Sequence, residues 1–510
     1  MLLSFALAGC DLAPRYDPPR MLLPADYQGS GPFVVARPDD AAARGPWWEV
    51  FADPVLDRLE VQASTLNPNL QAAAEQYVQA RDLAAEARAG LFPQVGADGN
   101  STDNRQSAHR LFRASPASGP SVESSNRITG TASWVPDVWE AISNRTRIQK
   151  RLAQGSAATL AGARLSIQAE LATDYMALRG LDTEGDVLRR TIGYYQKAVD
   201  ITALREAGKI ASGLDVARAR NQLAAAQVTE TDVAANRAVL QHAIAVLVGV
   251  PASGFTLAPE PQARVAVPVI PAGVPSALLQ RRPDIANAER SMAAANAAIG
   301  VSRAAFYPQV TISAVAGFED TGFSLASLPN SLWTIGAQAV LPLFEGGLRR
   351  AELQRSWAQY AQTRDIYRAT VLTAFGEVED GLTLTTQLAR ESQQGAEAVR
   401  QALRAQDMSL TLYKGGLDNY LNAVVSQVTA LGAEITEIGI ETRRRQAAVS
   451  LVAALGGGWS TANLPTGDQV LPFSPLDPSG GERRPRPSLL HDAPSLGPEP
   501  LADEPVRHPG

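Results

Sequence analysis

Two periods of hydrophobic and polar positions alternate along this chain. From about Pro54 to Leu91 the residues are Ala-, Gln-, Arg- and Leu-rich, Asn67-Pro68 gives a start signal, and Pro93 ends a helix. Residues 94–103 and 127–136 change to period two. Ile128, Gly130, Ala132 and Trp134 face one way and Thr129, Thr131 and Ser133 the other, which predicts strands. A polar loop joins them. From about Glu140 to Ala207 the pattern is helical with almost no breaker. A Gly- and Ser-containing turn, Gly208 to Leu214, reverses the chain, and a helix from about Asp215 to Val248 stops at Gly249-Val250-Pro251.

The same order then recurs. Leu91-Phe92-Pro93-Gln94-Val95 returns as Phe306-Tyr307-Pro308-Gln309-Val310, an offset of 308 − 93 = 215. Leu204-Arg205-Glu206-Ala207-Gly208 returns as Leu412-Tyr413-Lys414-Gly415-Gly416, an offset of 416 − 208 = 208. Two copies of roughly 200 residues follow. The second predicts a helix from about Ser276 to Phe306, strands over 309–318 and 332–341, a helix from about Gly347 to Tyr413, a turn at Lys414-Gly415-Gly416 and a helix to about Leu455.

Length decides the shape. A 68-residue helix at about 1.5 Å per residue spans about 100 Å, and two helices of about 35 residues stacked end to end match it. Each copy therefore reads as a rod of antiparallel helices with a β-hairpin at one end and a tight turn at the other. Strands of about ten residues suit an outer membrane. One chain supplies four, fewer than a closed barrel needs, and an open edge does not survive in lipid. Other copies of the chain must complete the barrel. The rival reading is a pair of soluble hairpins capping a coiled coil.

Composition narrows the function. The 510 residues carry a formal charge of −6, which argues against a nucleic-acid partner. No run of about 18 apolar residues predicts a transmembrane helix. Neither His109 nor His242 is assigned a metal. The absence of GxSxG, Walker A and HExxH motifs argues against an enzyme. The one cysteine rules out a disulfide framework and a Cys-based zinc site. It ends the segment MLLSFALAGC, where Leu7-Ala8-Gly9-Cys10 resembles a bacterial lipobox: residues 1–9 act as signal peptide and Cys10 carries a covalent lipid. The alternative is a buried cysteine. No Lys or Arg precedes the apolar run, so the natural start is expected a few codons upstream.

Trp47-Trp48 with Phe51 and Leu56, the paired LFPQV and FYPQV, Arg281-Arg282-Pro283-Asp284-Ile285, Ala297-Ala298-Ile299-Gly300 and Ala454-Leu455-Gly456-Gly457-Gly458-Trp459 occur in this order. Together with the lipobox they resemble the NodT/TolC-type outer-membrane factors, over about residues 7 to 459. The resemblance implies a homotrimer with a 12-stranded barrel above an α-helical periplasmic tunnel. It also implies a periplasmic adaptor and an inner-membrane transporter as partners. The function implied is a passive exit duct of a tripartite efflux pump. The competing class is a lipid-anchored periplasmic scaffold without a pore.

The expected map is an extended strap over 10–53, a first repeat over 54–255 (hairpin 94–136, tip 208–214), a linker over 256–275, a second repeat over 276–459 (hairpin 309–341, tip 414–421) and a disordered Pro-rich tail over 460–510. In the family, the second tip turn carries Leu and Asp residues that narrow the aperture. Here Leu421 fits the apolar constriction, and Asn422 and Val425 stand where many members carry Asp. Asp418 and Asp215 are the acids nearby, either lining the pore or capping helices. Gly208, Ser212 and Gly416 are expected to allow the reversals and meet the adaptor. Arg281, Arg282 and Asp284 read as structural. Trp134, Trp139, Phe323 and Trp333 sit either in an aromatic girdle or in the join between barrel and tunnel.

Overall fold

The computed structural model describes residues 10–19, 21, 27, 46–105, 107, 122–261, 267–268, 270 and 278–472. The expected signal segment, His109, most of the strap from 20 to 45 and the tail beyond 472 lie outside the described residues.

The elements are α1 (Pro54–Leu66), α2 (Pro68–Ala89), β1 (Gln94–Arg105), β2 (Val122–Trp134), α3 (Ala141–Ala207), α4 (Gly213–Leu247), α5 (Leu278–Arg281), α6 (Pro283–Ala304), β3 (Gln309–Asp320), β4 (Ser331–Val340), α7 (Leu348–Lys414) and α8 (Tyr420–Ala454). The duplication is residue for residue in three of the helix pairs. α3 and α7 have 67 residues each, α4 and α8 have 35, and α2 and α6 have 22. The offset is 283 − 68 = 215 above the hairpins and 348 − 141 = 207 below them, so the drift arises inside the hairpins.

The expected helix from Pro54 to Leu91 is two helices, and Asn67 explains why. Its Oδ1 accepts from the N–H groups of Asn69 (2.9 Å) and Leu70 (3.1 Å), capping α2. Its Nδ2 donates to the Leu247 carbonyl at the end of α4 (2.8 Å). One side chain thus seats α2 end to end on α4. In the second repeat Arg282 breaks the expected helix in the same way. It donates to the Ala454 carbonyl ending α8 (3.1 Å) and pairs with Asp284 in the first turn of α6 (2.7 Å). Gly456 passes so close, at φ +94°, that a Cβ there would lie 2.1 Å from the Arg281 carbonyl. The RRPD block and the glycine run are the two sides of one joint.

Neighbouring elements form a single layer. Its order is α2–α3–α6–α7 at the upper level and α4–α3–α8–α7 at the lower level. Above them the antiparallel sheet runs β1–β2–β3–β4. Each level therefore begins on a short element of the first repeat and ends on β4 or α7.

The main core clasps this layer at mid-height, where Trp47, Trp48, Phe51 and Leu56 pack on Leu171, Tyr175, Met176 and Leu451. Trp47–Phe51 is a 3-10 helix rather than extended strap. Residues 10–16 carry no helix or strand, bend at Ala13 and lie against α6. Asn296 Nδ2 donates to the Pro14 carbonyl (2.8 Å), Arg303 to Leu12 (3.0 Å), and the Tyr16 hydroxyl to Glu289 (2.7 Å). Positions 289, 296 and 303 recur every seven residues and make one stripe on α6. Arg179, Asp182 and Arg237 fix the chain after α4. Arg179 pairs with Asp182 (2.9 Å) and donates to the Ala258 carbonyl (3.0 Å), and Arg237 donates to the Leu257 carbonyl (2.8 Å).

The expected disordered tail starts too early. Residues 460–472 fold back on α2 and α3. Val470 is fully buried and its carbonyl accepts from Arg81 (3.2 Å). Gln154 donates to the Pro465 carbonyl (2.9 Å), and Leu464 packs on the cluster of Leu70, Ala74 and Tyr77. The segment lacks periodicity because it borrows its partners from the helices beneath it.

Candidate functional site

Directly paired residues of an antiparallel sheet share a face, so the register decides what each face shows. Ile128 pairs with Phe318, Gly130 with Ala316, Ala132 with Ala314 and Trp134 with Ile312. Trp333 pairs with Ala316 and Ile335 with Ala314, and Val95 pairs with Ala132. One face is thus apolar across all four strands. The opposite face carries Asp98, Arg127, Thr129, Thr131, Thr311, Ser313, Thr334 and Gln338. From Val310 to Phe318 the apolar face runs nine residues, eight steps of about 3.4 Å or about 27 Å of strand, which suits the roughly 25 Å band of a tilted membrane strand. Above Phe318 the same face turns polar with Asn126 and Asp320.

The four aromatic residues divide between the two expected roles. Trp139 stacks on Tyr307 (4.5 Å between centroids) and donates to the Pro308 carbonyl (2.8 Å), while Trp134 donates to Leu91 (3.1 Å). These two tie the strand roots to the helices. Phe323 and Trp333, 82% and 76% exposed, stand toward the far end of the sheet. Cys10 lies at the strand roots: its backbone N–H donates to the Val138 carbonyl (3.2 Å). Next to it, Asp11 is partly buried, which pushes its carboxyl up, but the Ala13 N–H, Asn144 and Arg147 together hold it below the usual value.

The far ends of the rods are two equivalent turns. The Ile210 N–H reaches the Arg205 carbonyl (2.7 Å) and the Leu417 N–H reaches Leu412 (3.0 Å), each closing a Schellman turn. The left-handed residues are Lys209 (φ 59°) and Gly416 (φ 74°). Gly208 has φ −77° and is not the residue that turns the first tip. The tips therefore align as 416 − 209 = 207, in step with the helices.

Ser212 and Asp215 form a reciprocal capping box at the start of α4. Asn419 caps α8 by accepting from the Asn422 N–H (3.1 Å), and Asp418 accepts from the Asn419 N–H (2.7 Å) and Asn422 Nδ2 (2.8 Å). Asp215 thus takes part in capping its helix, whereas Asp418 lies one residue before the Asn419 cap and braces it. Leu421 is half-exposed and forms a stripe with Val425 and Val428. α8 as a whole is apolar enough, by length and composition, to pass for a membrane span, which the sequence pattern did not suggest.

Two features escaped the sequence reading. At the tip, the Arg205 guanidinium lies over the Tyr413 ring and Tyr413 contacts Tyr420 (5.1 Å). Burial, with Tyr413 and Tyr195 close by, pushes the Tyr420 phenol up to about 12. On α1, Glu60 is fully buried and neither carboxyl oxygen has a hydrogen-bond partner among the described residues. Burial, reinforced by Asp57, pushes it up to about 9. No motif marks either; both depend on which helices come together.

A sheet with one lipid-suited face and two free edges, set on a layer of helices about 100 Å long, defines a protomer of an outer-membrane channel that reaches into the periplasm. The chain belongs to the outer membrane efflux protein family, which it matches over residues 59–250 and 274–457. It is 30% identical over 437 residues to the pyoverdine export outer membrane protein OpmQ of Pseudomonas aeruginosa, covering 84% of this chain and 90% of that protein. The toluene efflux pump outer membrane protein TtgC of Pseudomonas putida is 29% identical over 461 residues, covering 89% and 94%. A solved membrane protein from Pseudomonas aeruginosa superimposes with a TM-score of 0.81 at 26% identity, covering 88% of this chain and all of that one. The outer-membrane channel OprN shares the fold, with a TM-score of 0.81 at 24% identity. This chain is an outer-membrane efflux channel protein.

Proposed function

We propose that three copies of the chain close a 12-stranded barrel and a continuous helical tunnel. This trimer is the passive exit duct of a tripartite pump. The carrying observation is that every level of the layer ends on the same two edges. β4 and α7 form one edge, and β1, α2 and α4 form the other. A second copy placed beside the first pairs strands and helices together, and an open strand edge in lipid has no other remedy. The tips meet a periplasmic adaptor through Gly208, Ser212 and Gly416, with Lys209 beside them, and an inner-membrane transporter delivers the solute. Solute passes by diffusion, without a catalytic step or a bound cofactor.

Cys10 carries the lipid. Its position at the strand roots starts an acyl chain at the lower margin of the apolar band. Leu421 from three copies forms the apolar constriction, and Asp418 and Asp215 set the charge around it. The test is conductance of the purified protein in planar bilayers, alongside palmitate labelling. A trimeric, conducting protein labelled only when Cys10 is present is expected. A lipid-labelled protein without conductance is a scaffold and overturns the duct.

A further inference from the structure

The two most exposed large apolar side chains among the described residues sit side by side. Leu343 and Phe344 are 91% and 90% exposed. They follow β4 on an extended stretch that is firmly held. Arg349 pairs with Glu345 (2.6 Å), donates to the Pro342 carbonyl and donates to Ala305 at the end of α6 (3.1 Å). Gly346 and Gly347, both at positive φ, then turn the chain into α7. A rigid, naked apolar pair costs free energy in water, so something covers it.

Its place on the edge identifies the cover. β4 runs toward the helices and ends at Val340, whereas β1 runs away from them and starts at Gln94. When β4 of one copy pairs with β1 of the next, the strands are antiparallel and the end of β4 lies beside the start of β1. The stretch after β4 then arrives at the corner between α2 and β1. That corner offers Leu91, Phe92, Pro93 and Val95, with Val95 80% exposed. Within one chain the two segments lie at opposite edges of a four-stranded sheet, and although Phe92 and Pro342 border one cavity beneath it, Leu343 and Phe344 do not line that cavity.

We propose that Leu343 and Phe344 form an inter-subunit knob that seats on the Leu91–Val95 corner of a second copy, sealing the seam where barrel meets tunnel. The knob rests on the trimer proposed above. Glu345 and Arg349 beside the pair would be costly inside the bilayer, which favours a protein partner as the cover.

The test pairs Phe92→Cys with Phe344→Cys, or with Leu343→Cys, in the full-length chain in membranes. A short bismaleimide should give covalent dimers and trimers on denaturing gels only when both cysteines are present. Single-cysteine chains control for Cys10. Phe344→Ser should lower the temperature at which the trimer dissociates, whereas Phe323→Ser should not. Light scattering of the unsubstituted protein is measured in parallel. A trimeric protein in which neither pair cross-links and Phe344→Ser dissociates at the parent temperature overturns the knob but keeps the trimer. A lipid-exposed spin label at position 344 of that trimer also overturns it. A monomeric parent overturns the trimer itself.

Discussion

The Arg205 guanidinium carbon lies 4.7 Å from the centre of the Tyr413 ring. Through this contact the last turn of α3 touches the last turn of α7, and the two hairpins of one chain are joined at their tips. Val199, Ala219, Tyr420 and Ala423 complete the cluster around it. Any widening of the tip that separates the hairpins must break it.

Arg205→Ala and Tyr413→Ala should therefore loosen the tip and raise resting conductance. The contact contributes about 0.5–2 kcal/mol at a partly desolvated site. Tyr413→Phe should behave as the parent, because the Tyr413 hydroxyl has no hydrogen-bond partner among the described residues. Conductance of all three variants in planar bilayers checks this; a leaky Tyr413→Phe would show that the hydroxyl, not the ring, matters.

Leu421→Ala should raise conductance and admit large antibiotics such as vancomycin. Leu421 is half-exposed in one chain, so burying the rest of it among three copies would contribute less than the ~1.5–3 kcal/mol of full burial. Asp418→Asn should leave leakiness unchanged and alter cation preference, since an Asn oxygen can still accept from the Asn419 N–H and the charge alone is removed. If Leu421→Ala instead lowers only thermal stability, Leu421 packs on its own chain.

Truncation separates the two parts of the C-terminal region. Removing 473–510 should leave trimer and efflux at parent level. Removing 465–510 should lower stability, because Val470 leaves its burial site and Arg81 and Gln154 lose their partners. The buried valine alone accounts for about 1.5–3 kcal/mol. Thermal melts of the two truncations decide it; equal melting temperatures would refute the packing.

Glu60 sets a pH dependence. Its folded value of about 9 lies above the ordinary value of 4.5, so the folded state holds a proton the unfolded state releases. Stability from this group is complete below about pH 4.5 and falls as pH rises toward about 9. Glu60→Gln should flatten the slope between about pH 5 and 8 and raise the melting temperature at neutral pH. A parent and a variant with parallel melting profiles would contradict the neutral, buried carboxyl.

The sequence by itself determined the duplication, the span of α3 to within a residue and the approximate positions of the four strands, although β2 covers Val122–Trp134 where 127–136 was expected, because these follow from local signals. Proline stops a helix wherever it sits, and alternating Thr129, Gly130, Thr131 and Ala132 fit only an extended chain. Lys209 was hidden because a lysine in left-handed backbone has no sequence signal, and Gly208 beside it drew the assignment. The break at Asn67 was legible as a start signal, but its second bond to Leu247 depends on α4 arriving there. The register alone brought Trp333 and Ile335 onto the face of Ile128 and Ala132, since a one-residue slip reverses every side chain. The order of the layer, the fold-back of residues 460–472 and the burial of Glu60 likewise needed the tertiary structure. Each is a contact between segments far apart in sequence, whose free energy no local pattern carries.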